Sequence, residues 1–184
     1  MIINYLKNDL VTVPKRAKTG DLGYDIVATS DPIIVGESYT MQSFYGVDTN
    51  TYYSSIDYIE YETSLFMSPQ NDVSQRGNER KYHILGFPRS SISKYWLTLL
   101  NSVPILDQNF RGHVKLRFGY RFQPKDLVIV NNAFFIKMTQ DKIYKKGDKI
   151  AQLVPYKNID ANFIGVDELD NTDRGEGGFG STGK

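Results

Sequence analysis

A chain of 184 residues, 40% hydrophobic and 23% charged, has the size and composition of one ordinary globular domain with a single sizeable core. A formal net charge of +1 supplies no general attraction for nucleic acid or an anionic membrane, and no apolar run is long enough for a signal peptide or membrane span. Without cysteine there is no disulfide framework and no thiol chemistry, and His83 and His113 are too few for a zinc site unless carboxylates complete it. These features fit a cytoplasmic protein (the host cell's cytoplasm for a viral chain) with neither nucleic acid nor membrane as a partner.

Aromatic content of 13%, including 13 tyrosines, favours strands, whose half-buried pleated faces suit such side chains. Lys15-Arg16-Ala17-Lys18 is too short to read as a targeting signal. From Ile26 to Val47, short strands are expected between the breaks at Asp31-Pro32 and Gly36. Residues 41–81 are rich in tyrosine, serine and acid, as in Tyr52-Tyr53-Ser54-Ser55-Ile56-Asp57-Tyr58. They read as an extra hairpin packed on the domain or as a surface for a protein partner. Ser90 to Leu100 is the best helix candidate, because Ile92, Tyr95, Trp96 and Leu99 share a helical face, with a strand as the second reading.

The clearest periodicity follows. Val114, Leu116, Phe118, Tyr120 and Phe122 alternate with His113, Lys115, Arg117 and Arg121, which predicts a strand with one wet face. Asp126 to Met138 predicts a hairpin turning at Asn131-Asn132. With its flanks it forms a second added stretch, residues 122–142. Lys145 to Asp148 is a turn leading into a strand from Ile150 to Val154. Many short strands without an internal repeat predict an all-β sandwich or jelly roll.

The segment from Arg174 to Lys184 carries a guanidinium, two hydroxyls, an aromatic ring and five glycines. Such a backbone can wrap an anion closely, and Phe179 can stack on a nucleobase, so a nucleotide-binding tail is expected. Gly178 to Lys184 also fits G-x-x-x-x-G-K, and Gly178, Gly180 and Gly183 fit G-x-G-x-x-G. Both motifs need a strand before and a helix after, and neither is expected here.

Five further residues, at three places, carry chemistry. Asp107, beside the turn-like Pro104 segment, can take a proton from a water attacking phosphorus; it reads equally as a turn aspartate bonded to its own backbone. Arg89, Ser90 and Ser91 offer donors suited to phosphate oxygens, though alone they read as a surface turn. Asn101 can present a donor and an acceptor to a base edge.

Five segments, in order, resemble the motifs of the homotrimeric dUTPase family: Ala17 to Asp25, Pro88 to Ser91, Asn101 to Gly112, Gly147 to Leu153, and the tail. The resemblance implies a distorted jelly-roll (β-clip) domain over 1–169 with a flexible nucleotide-binding tail at 170–184. It implies dUTP diphosphatase activity with Mg²⁺, in sites shared between the subunits of a homotrimer. Asp107 takes the place of the family's water-activating aspartate. Arg89, Ser90, Ser91 and Gln152 line the triphosphate. Asn101 recognises uracil, and Phe110 stands where a tyrosine usually packs on the deoxyribose. In the tail, Phe179 beside Gly180 closes over uracil, while Arg174, Ser181 and Thr182 hold the terminal phosphates. Asp25 is a candidate for a supporting role near the metal or the interface, or for a plain structural hydrogen bond.

The chain departs from the family pattern at Pro104, usually glycine, and Asn109, usually aspartate. Its third motif is also one residue closer to the second. dCTP deaminases share the fold, but Arg117 stands where they carry a glutamate base. A nucleotide-sensing regulator docking a partner through residues 41–81 is the non-enzyme alternative.

Overall fold

The structure, a computed structural model, describes residues 2–42, 49–70, 72–73, 79–159, 161–173 and 175. Its strands in chain order are β1 (Ile3–Tyr5), β2 (Tyr24–Val27), β3 (Ile33–Val35), β4 (Ser38–Gln42), β5 (Thr49–Tyr53), β6 (Tyr58–Leu65), β7 (Met67–Pro69), β8 (Asp72–Val73), β9 (Glu79–Arg80), β10 (Tyr82–Pro88), β11 (Leu97–Leu99), β12 (Ile105–Leu106), β13 (Val114–Tyr120), β14 (Leu127–Val130), β15 (Ala133–Ile136) and β16 (Lys149–Lys157). The only helical turns among the described residues are short 3-10 turns at Ser90–Lys94, Pro124–Asp126 and Gln140–Lys142. The all-β jelly-roll expectation holds, as open antiparallel sheets and not as a closed barrel.

Two four-stranded sheets, β12-β10-β16-β2 and β11-β13-β6-β3, build the core. Strand alternation sends Ile84, Leu153 and Ile26 inward from the first sheet, and Leu116, Phe118, Ile59, Tyr61 and Leu65 inward from the second. At the centre, Tyr61 meets Phe118 and Tyr144 edge-on, with ring centroids 5.7 and 6.0 Å apart. Such pairs add about 0.5–1.5 kcal/mol each beyond their burial. The Tyr61 hydroxyl donates to the Tyr144 carbonyl at 3.0 Å, so the ring is buried without a lost hydrogen bond. Burial pushes the Tyr144 hydroxyl up to about 12.

A third sheet, β14-β15-β5-β4, carries the expected hairpin. Its turn residues Asn131 and Asn132 have φ of 49° and 65°, the left-handed pair that a tight two-residue hairpin needs. At its base, the buried Asp126 carboxylate accepts from Tyr120 Oη (3.0 Å), the Gln123 amide (2.8 Å) and Thr139 Oγ1 (2.5 Å). These bonds close the two ends of the hairpin onto the end of β13.

Two elements differ from the sequence reading. Ser90 to Leu100 is not one helix. It is a single 3-10 turn to Lys94 followed by β11, because Leu97 and Leu99 are buried by pairing with Tyr120 and Phe118 on β13. Within residues 41–81, read as an extra hairpin packed on the domain or a partner surface, β6 is a central strand whose Ile59, Tyr61 and Leu65 are all buried. Its Glu60 and Glu62 point to the other face, where Lys115 and Arg117 of β13 neutralise them.

Candidate active site

The outer face of the β12-β10-β16-β2 sheet carries the chemistry. Its register pairs Ile84 with Leu106 and Leu85 with Ile105, and pairs Phe87 with Gln152 and Gln152 with Asp25. Residues directly opposite share a face, and alternate residues along a strand return to it. Asp25, Gln152, Phe87, Val154, Leu85 and Ile105 therefore lie on one face. Continued by one residue, the β10–β12 register sets Asp107 on it as well.

Asp107 follows β12 and opens a tight turn in which its carbonyl accepts the Phe110 amide at 3.0 Å. Its carboxylate is exposed in a cleft of about 780 Å³ lined also by Lys81, Tyr82, His83, Ile105 and Asn109. The loop leading to it from β11 is held by Pro104, whose carbonyl accepts the Gly86 amide at 2.8 Å while its ring packs on Gly86. A proline at this position thus keeps the loop docked although it lacks an amide proton. Asn101 lies exposed in that loop, beside Ser102 in the left-handed region at φ 53°. Phe110 lies over Gly112, where an added Cβ would stand 2.6 Å from the ring. Only glycine leaves room for that ring position.

A second cleft, of about 350 Å³, is lined by Asp21, Gly23, Asp25, Arg89, Ser90 and Gln152 among others. The buried Asp25 carboxylate accepts from Arg89 Nε at 2.8 Å. Lys149 Nζ stands 2.8 Å from the other oxygen as an ion pair, without the angles of a hydrogen bond. Arg89 also reaches Ser91 Oγ from Nη1 at 3.4 Å. Gln152 packs over Gly23, where a Cβ would lie 2.5 Å from its Oε1. The arrangement presents a half-exposed guanidinium, the Ser90 hydroxyl and an amide to an anion, with Arg89 braced from behind.

The structure thus brings Arg89, Ser90, Ser91, Gln152 and Asp25 together, and places Asp107, Asn101 and Phe110 apart from them. Asp107 and Gln152 are four residues and two strands apart in this register, roughly 16 Å by strand geometry. The tail positions Arg174, Phe179, Gly180, Ser181 and Thr182 lie outside the described residues. Two participants escaped the sequence reading: Lys149, the second cation on Asp25, and His83, on the wall of the Asp107 cleft. The signal for both was cross-strand register, which a single sequence does not display. His113 is engaged in structure, its Nε2 accepting the Ser64 amide at 2.9 Å and its ring stacked on Phe66.

An open all-β fold with a guanidinium-lined cleft and an exposed carboxylate on one sheet face is consistent with a β-clip protein that can take a phosphorylated ligand. A dUTPase family model matches residues 78–183. Over 183 residues the chain is 30% identical to a deoxyuridine 5'-triphosphate nucleotidohydrolase of Debaryomyces hansenii, covering 98% of this chain and 86% of that one. A protein of the same description from Thermobifida fusca is 28% identical, over 93% of this chain and 72% of its own. Among solved structures, a dUTPase of Staphylococcus bacteriophage 80alpha with dUpNHpp is similar in fold at a TM-score of 0.63 and 20% identity, covering 100% and 99% of the two chains. The chain belongs to the dUTPase family.

Proposed function

We propose that this dUTPase hydrolyses dUTP to dUMP and pyrophosphate in sites that no single copy of the chain completes. Asp107 accepts a proton from a water whose oxygen attacks the α-phosphorus. The bond from that phosphorus to the oxygen bridging to the β-phosphate breaks in line, and the pyrophosphate leaves with its electron pair. Arg89, Ser90, Ser91 and Gln152 hold the triphosphate and stabilise its charge.

The observation that carries this reading is the separation on the shared face. A base roughly 16 Å from its own chain's phosphate cradle is too far to act on the phosphate held there. A neighbouring copy, seated against the exposed face between the two clefts, would bring its own cradle to Asp107. Ile105 and Tyr156 are exposed on that face at 64% and 53%, as expected of a surface that a second copy covers. Three copies in a ring give every Asp107 a partner cradle, and the homotrimer is the assembly we assign.

Asn101 and the loop backbone read uracil, Phe110 excludes a 2′-hydroxyl by bulk, and the tail supplies Arg174, Phe179, Gly180, Ser181 and Thr182 as a closing cover. Mg²⁺ enters as part of the substrate, carried by the triphosphate. The second cleft fits that role. Its Asp25 is committed to two cations, while Asp21 gives one oxygen to the Lys18 amide at 2.8 Å.

Pyrophosphate release from dUTP, dCTP, dTTP and UTP, each with Mg²⁺, tests the reading. Release from dUTP alone is expected. Release from none, or equally from all four, would overturn it.

A further inference from the structure

We propose that His83 is a positioning residue for Asp107. This rests on Asp107 being the base, as argued above. The pairs Ile84 with Leu106 and Leu85 with Ile105 run antiparallel, so one step beyond the end of β12 Asp107 comes level with His83. Opposite residues in such a pair have Cβ atoms about 4.5–5.5 Å apart and point to the same face. Both side chains line the same cleft, as that register requires.

His83 is in turn held from its other side. On β16 it is opposite Tyr156, and the two rings lie 5.6 Å apart at 45°. The imidazole is therefore flanked by an aromatic wall and lines the same cleft as the carboxylate. No hydrogen bond or ion pair engages the Asp107 carboxylate among the described residues, so it is open to a ring N–H donor. A donor on one carboxylate oxygen fixes the plane of the group and turns the other oxygen toward the attacking water. A base held this way is set before the substrate arrives, which is the use of a group that touches neither water nor phosphorus. The charged and titratable groups facing the imidazole are Asp107, Lys81 and Tyr82 around the cleft and Tyr156 from β16.

The test compares His83→Phe, which keeps a ring against Tyr156 but has no donor, with His83→Gln, which keeps an N–H. For His83→Phe we expect kcat for dUTP to fall about tenfold with KM within about twofold, and the pH profile of kcat to change shape. His83→Gln should recover most of the loss. An unchanged kcat and pH profile in His83→Phe, or equal losses in both variants, would reduce His83 to packing and overturn the proposal. If His83→Phe lowers the melting temperature appreciably, the comparison is made on His83→Gln against His83→Leu. Asp107→Asn is assayed in parallel: full turnover there would sink the assignment of the base itself, whatever His83 does.

Discussion

Arg89 donates from Nε to the buried carboxylate of Asp25 at 2.8 Å, a link from the end of β10 to β2 across the strand that carries Gln152. Asp25 is thereby a brace for the anion cleft, with Lys149 on its second oxygen. Of the two readings open in the sequence, support near the metal or the interface and a plain structural hydrogen bond, the geometry favours the second.

Asp25→Asn keeps the shape of the brace and removes its charge. Arg89 and Lys149 are partly solvated, so the stability loss should be modest, about 1–3 kcal/mol in urea unfolding. Because Arg89 then loses its fixed aim, KM for dUTP should rise about tenfold. A KM unchanged from the wild type would show that Arg89 is aimed by something else.

Asp126→Ala should be far more damaging to the fold than to the chemistry. It strips the acceptor from three donors at once, Tyr120 Oη, the Gln123 amide and Thr139 Oγ1, at a site 1% exposed. Losses at such a network amount to about 2–4 kcal/mol. Thermal unfolding would measure it, and amide exchange should rise across Leu127–Val130 and Ala133–Ile136 first. Protection unaltered in those strands would mean that the hairpin is held by its apolar contacts alone.

Glu60 predicts an acid limb. The hydrogen bond from Lys115, then that from Arg117, holds its carboxyl below the ordinary carboxylate value against the opposing effect of burial. The unfolded chain therefore binds this proton at a higher pH than the folded one. The stabilisation is present above the ordinary carboxylate range and is lost as pH falls through the lowered value. Glu60→Gln should flatten the fall in stability as pH drops below the ordinary carboxylate range. An acid limb of equal steepness in the variant would assign it to other carboxylates.

What was legible in the sequence follows from how local its cause is. Val114–Tyr120 was read from strict alternation, and the β14–β15 hairpin from Asn131-Asn132, since a period of two and a left-handed turn are properties of neighbouring residues. β6 was missed because residues 41–81 were read from their tyrosine, serine and acid content; only the partner strand reveals the cations that neutralise Glu60 and Glu62. The alternation of Ile59, Tyr61, Thr63 and Leu65 was a signal that went unused. For the site, Asp107, Arg89 and Gln152 followed from motif resemblance. The brace at Asp25 and the place of His83 on the wall of the Asp107 cleft depend on register between strands distant in the chain, which one sequence does not encode visibly.

Subunit complementation tests the shared site most directly. Asp107→Asn and Arg89→Gln chains are each purified, confirmed inactive on dUTP, then dissociated and reassembled together in equal amounts. If each site takes Asp107 from one copy and Arg89 from another, random assembly leaves about a quarter of the sites intact, and about a quarter of wild-type pyrophosphate release should return. If both residues act from the same chain, every site carries a lesion. A mixture no more active than its two components would contradict the account.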